Sequence, residues 1–206
     1  IITGIRRCGK STLLKLISKK IQGAKIYLNL EDVRLADFTV DNFNDVENIT
    51  VELFGKDEKV TYFFDEVQNV KLWERWVNNL YGKGVKVFLT GSNSYLLSSE
   101  ISTHLTGRNK QIVLFPFSFK EYQTYKKTSY PDNATSKERS TIYKYFSEFL
   151  ETGGFPVVVK NNDLDLSRQY FEDILNKEIL HRYMIRQSKG LKDLLLFLFS
   201  NIGERY

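Results

Sequence analysis

The sequence predicts an α/β fold, a mostly parallel sheet with helices on both faces, followed by a smaller helical part. Three observations predict it. Short apolar, β-rich runs alternate with stretches of helical period as far as residue 115. The links between them are short, as in a parallel sheet built by crossover helices. After Pro116 the apolar runs give way to helical periodicity.

The elements follow in order. Residues 1–3 read as the end of a buried strand, and residues 10–21 as a helix whose Leu13, Leu14, Leu16 and Ile17 face the core. Residues 25–30 (KIYLNL) form a short strand, 42–54 a helix, and 60–64 (VTYFF) a buried strand. Residues 73–81 form a helix with Trp76, Val77 and Leu80 inward, so core packing is the expected use of Trp73 and Trp76. Residues 85–90 and 111–115 complete the strands. Beyond them, 117–126, 138–151, 167–185 and 191–201 read as helices, with a polar loop at 130–137. The stretch 153–159 reads as a turn or short extended piece, because Gly153, Gly154 and Pro156 punctuate it.

Composition sets the outer bounds. The chain has 206 residues, 42% of them hydrophobic, which suits a folded protein with a real core. Lys and Arg number 30 against 25 acids, a formal +5 spread along the whole chain. That charge permits nucleic-acid contact without arguing for it. Cys8 is the single cysteine, which fits a reducing, cytoplasmic setting. With only His104 and His181 beside it, a structural zinc site is excluded. The longest apolar run, 194–199, is far too short to span a membrane. The chain opens without an initiator Met and stops after an apolar helix, so both ends read as cut from a longer protein.

The chemistry starts at residues 4–11, GIRRCGKS, which match G-x-x-x-x-G-K-[ST] at every fixed position. A loop that wraps a pyrophosphate needs glycines at Gly4 and Gly9, for positive backbone angles and close approach. The helix that follows turns its free amides and dipole toward the anion. Arg7, Cys8, Lys10, Ser11 and Thr12 complete the expected nucleotide contacts. Lys10 reaches the β- and γ-phosphate oxygens and Ser11 places its hydroxyl on Mg²⁺. An apolar strand, expected beside the loop's own strand, ends in Asp65 and Glu66. Asp65 is the expected second Mg²⁺ partner, and Glu66 the group that polarises a water for attack on the γ-phosphate. Asn93, after the strand at 85–90, is the preferred group to hold that water, with Thr90 and Ser92 as rivals; a helix cap is the plainer reading of Asn93. Arg108 is a candidate arginine finger for a neighbouring subunit's nucleotide, or a surface or salt-bridge arginine.

GIRRCGKSTLL, FFDEVQ, LTGSNS, LTGR, LFPFSFKEY and GGFP, in that order and spacing, resemble the AAA+ ATPases of the prokaryotic "ATP-binding protein" group, related to STAND-type NTPases. The resemblance covers nearly the whole chain. It implies a P-loop NTPase parallel sheet over residues 1–115, a small α-helical lid over 116–188, and the first helix of a winged-helix-like domain over 189–206. It also implies ATP with Mg²⁺ as ligand, ATP hydrolysis or a slow regulatory switch as the activity, and homo-oligomers. DNA contact would come through a domain beyond residue 206. In related NTPases the GGFP turn presents its proline to the adenine, which implies that role for Pro156. Arg139 and Arg168 are candidates for a lid sensor.

Overall fold

A computed structural model of the chain describes residues 1–92, 105, 107–128, 135–180, 183–185 and 188–202. It divides into two compact units, Ile1–Asn162 and Asp163–Tyr206. Five parallel strands organise the first: β1 (Ile2–Gly4), β2 (Lys25–Asn29), β3 (Thr61–Asp65), β4 (Lys86–Leu89) and β5 (Ile112–Leu114). They pair as β2-β3-β4 and β1-β5. A parallel bridge between Ile2 and Thr90 joins the two groups, and the Gly91 amide donates to the Ile2 carbonyl. The spatial order is therefore β5-β1-β4-β3-β2.

That order corrects one expectation. The acidic strand β3 does not lie beside the phosphate-loop strand β1, because β4 runs between them. The inserted strand brings Thr90 to the acids, as described below.

Helices α1 (Lys10–Lys20), α2 (Asn42–Phe54) and α3 (Trp73–Gly82) cover the sheet. β3 is buried along its whole length and alternates with the pleat. Tyr62 and Phe64 join Phe43, Trp76, Val77 and Leu80 in one core cluster, from α2 and α3. Phe63 joins Ile2 and Leu14 in the other, beneath α1. Phe43 stacks on Trp76 with ring centroids 4.0 Å apart, and Phe63 stacks on Phe88 at 5.1 Å. Each aromatic buried this way contributes roughly 1.5–3 kcal/mol. Trp73 and Trp76 are both buried, and the Trp76 indole donates to Glu47, so these rings are packing elements.

Residues 116–162 cluster with the sheet. α4 (Phe119–Tyr125) and α5 (Ser136–Thr152) both open on capping boxes, Ser118 with Glu121 and Thr135 with Glu138. They pack through Phe119, which meets Phe146 at 5.1 Å and Phe149 at 5.6 Å. The stretch after Gly153 is helical rather than extended: α6 (Pro156–Asn161) begins with Pro156 in its first turn. Three successive valines suggest a strand, but proline's fixed φ already suits a helix start. Gly154 is required there, since a Cβ would stand 2.2 Å from the Phe117 carbonyl oxygen.

In the second unit, α7 (Leu164–Ile174) is capped by Asp163 and continues as a π-helical turn, Leu175–Leu180. α8 (Ser188–Ser200) leaves Leu194, Leu196, Phe197, Leu198 and Phe199 exposed. No helix among the described residues is long and apolar enough to cross a membrane.

Candidate functional site

Parallel strands set their carboxyl ends along one edge of a sheet, and the crevice there is where α/β proteins take ligands. Gly4 ends β1 at that edge with φ 148°, and a side chain would collide with the Leu114 carbonyl oxygen at 2.2 Å. Arg7 and Gly9 turn the loop through φ 66° and 103°. Arg7 is exposed at the tip, while Cys8 is buried beneath it. α1 starts at Lys10 with no side-chain cap and no acid in its first turn, so the amides of Lys10, Ser11 and Thr12 meet the loop's concavity.

Lys10 is 4% exposed. Its ammonium donates to the Gly4 and Ile5 carbonyls, both at 3.1 Å, and lies 3.9 Å from Glu66 Oε1. Asp65 ends the buried strand β3 and accepts three hydroxyl bonds. Ser11 Oγ donates to Oδ1 at 3.0 Å, Tyr27 Oη donates to Oδ2 at 3.0 Å, and Thr90 Oγ1 donates to Oδ1. Thr90 also accepts the Glu66 amide, at 2.9 Å. One hydroxyl thus anchors both acids. Glu66 has the left-handed backbone angle φ 54°, which swings its carboxylate out of the strand's alternation toward Lys10. Gln68 Nε2 donates to Glu66 Oε2. Burial first, and then the Asp65 carboxylate, push the Tyr27 phenol well above its ordinary value, so it remains a donor.

The donor set fits a magnesium nucleotide. Ser11 Oγ and Asp65 Oδ1 stand 3.0 Å apart, close to the ~3 Å edge of an octahedral oxygen shell at 2.0–2.1 Å. Mg²⁺ keeps waters and phosphate oxygens as its other ligands. That is why no group of three protein ligands is needed, and none occurs among the described residues.

The chain brings Gly4, Gly9, Lys10, Ser11, Asp65 and Glu66 together at one edge. Thr12 is exposed on the first turn of α1. Pro156 Cγ lies 3.9 Å from where a Cβ on Gly9 would stand, so α6 begins against the phosphate loop. Asn93 and His104 lie outside the described residues; Thr90, the rival to Asn93, bonds the acids directly. Arg108 does not approach this edge. It precedes β5 at the amino ends of the strands, donates to Asn78 Oδ1 at 2.6 Å, and lies 5.9 Å from the Tyr81 ring centroid. Arg168 pairs with Asp165 on the surface of the second unit. Burial, opposed in part by Lys10, pushes the Cys8 thiol up, which makes it a loop filler rather than a reactive thiolate. Tyr27 and Gln68 were not legible as site residues. A lone hydroxyl in the apolar run KIYLNL is the only hint of Tyr27, and Gln68 stands two residues past the acid.

A model of the AAA domain family matches residues 1–123. An uncharacterized protein of Methanocaldococcus jannaschii is 34% identical over 209 residues, which cover 98% of this chain and 47% of that protein. An uncharacterized protein of Haemophilus influenzae is 33% identical over 215 residues, covering 99% of this chain and 52% of that one. The chain thus spans about half the length of the curated relatives it matches. The Aeropyrum pernix ORC1 protein, solved in complex with DNA, aligns at 12% identity and a TM-score of 0.43, over 100% of this chain and 72% of that chain. With the phosphate loop, the acidic pair and the family match in place, the chain belongs to the AAA domain family of P-loop nucleotide-binding proteins.

Proposed function

We propose that this chain is the Mg²⁺-dependent ATP-hydrolysing module of a larger protein. What supports the reading is the convergence of four side chains: Ser11 on Asp65 at 3.0 Å, and Lys10 beside Glu66 at 3.9 Å. Lys10 would leave the Gly4 and Ile5 carbonyls to bind the β- and γ-phosphates. Ser11 and Asp65 would hold the metal, which neutralises charge on the phosphates. Glu66, its carboxylate already turned toward the phosphate-binding lysine, would polarise the attacking water. Thr90 would keep both acids in place, and Pro156 would border the nucleotide where α6 meets the loop. Arg108 would act on a neighbouring copy's nucleotide, which makes a homo-oligomer the working form.

The test is steady-state ATP hydrolysis by the full-length protein, beside Lys10→Ala and Glu66→Gln. Lys10→Ala is expected to lose ATP binding. Glu66→Gln is expected to keep binding and to lose turnover on the order of 100-fold or more. Unchanged turnover in Glu66→Gln would remove Glu66 from the role. Negligible wild-type turnover, with Lys10-dependent ATP binding intact, would make the chain a slow nucleotide-dependent switch instead.

A further inference from the structure

We propose that Gln68 is a positioning residue that holds the Glu66 carboxylate at the phosphate side of the site; this rests on the reading of Glu66 as the water-activating group. The short 3-10 turn Val67–Asn69 follows β3 directly and folds Gln68 back over the acid. A carboxylate only accepts hydrogen bonds, so the Gln68 amide must present Nε2 to Glu66 Oε2, as it does. Glu66 is then held at both oxygens, Oε2 by Gln68 and Oε1 by the Lys10 ammonium at 3.9 Å. In that reading the lysine turns to phosphate when a nucleotide binds, whereas the Gln68 amide can keep its bond to Glu66. Gln68 is therefore the contact that keeps the acid aimed while Lys10 changes partners.

A second observation sets Gln68 apart from a packing residue. Its Oε1 is buried and has no hydrogen-bond donor among the described residues. A buried acceptor with no protein donor is one that a water or ligand satisfies. Beside Glu66, a second acceptor oxygen suits a water that must offer one hydrogen to the base and the other elsewhere.

Gln68→Met, which keeps the length and removes the amide, should lower kcat by roughly tenfold to 100-fold, the usual loss when the partner orienting a site ligand is removed. The KM for ATP and the Tm should stay at wild-type values, a split that a structural role would not produce. Gln68→Glu, equally long and polar, puts a like charge beside Glu66 and should lose at least as much. Combined with Glu66→Gln, Gln68→Met should cause no further loss, because its effect runs through that carboxylate. Full kcat in Gln68→Met while Glu66→Gln is dead would overturn this role and leave the function standing. Loss of Tm in step with kcat in both Gln68 variants would reduce Gln68 to a structural residue. Turnover indifferent to Glu66→Gln would remove the function and this role with it.

Discussion

At the residue scale, the parts of the candidate site with narrow residue requirements were legible and the parts that support them were less so. Gly4, Gly9, Lys10 and Ser11 announce themselves because a phosphate loop tolerates few other residues at those places. Asp65 and Glu66 do so because two acids at the end of an apolar strand need a reason. Thr90 was legible only as a rival to Asn93, not as the residue that joins the two acids. Threonine is common in strands, and only the pairing of β4 with β3 reveals that its hydroxyl bridges Asp65 and the Glu66 amide. That bridge is fully buried. Thr90→Val keeps the shape, leaves the buried Glu66 amide without its acceptor and takes one of three hydroxyls from Asp65, so it should destabilise the protein by about 1–3 kcal/mol, read by urea denaturation. Thr90→Ser, which restores the hydroxyl, should recover most of the loss. Equal stability of the valine and serine variants would show that the hydroxyl does not matter.

At the element scale, periodicity located every described strand and nearly every helix, and missed where a side-chain cap or a proline sets the start. α4 starts after Ser118, and α5 after Thr135, because capping boxes fix those starts. α6 arises where valines and glycines argued against a helix, since Pro156 supplies the first turn. The box at α4 can be tested. The Ser118 amide and then its hydroxyl hold the Glu121 carboxyl below the ordinary carboxylate range. A lowered value in the folded state means that Glu121 stabilises above its ordinary value of 4.5, and that the contribution fades as pH falls through the lower folded value. Ser118→Ala should cost about 1 kcal/mol at neutral pH. The Tm gap between wild type and Glu121→Ala should narrow steadily below pH 4.5. A gap that stays constant across that range would show that charge plays no part.

At the scale of the whole molecule, strand order was the feature the chain concealed. Nothing in an apolar run names its neighbours when crossover connections separate them, and β4 entered between β1 and β3 without a local sign. The resulting sheet sets the acids and the phosphate loop at one edge and Arg108 at the other. An arginine so placed, bonded to Asn78, does not reach its own copy's phosphate loop, so the proposed finger role is one between subunits. Turnover per subunit should therefore rise with protein concentration, and Arg108→Ala should lose activity on the order of 10³-fold. Mixing Arg108→Ala with Lys10→Ala, each inactive alone, should restore turnover, because one copy lends the arginine and the other the intact pocket. No recovery on mixing would rule out a role between subunits. The same sheet converges on Asp65, which receives hydroxyls from α1, β2 and the end of β4 and, among the described residues, pairs with no cation. An acid locked in an ion pair would have to break it before admitting a metal. Under the proposed metal role the protein would need only to rotate a hydroxyl proton, so its reorganisation on taking a divalent ion would be small.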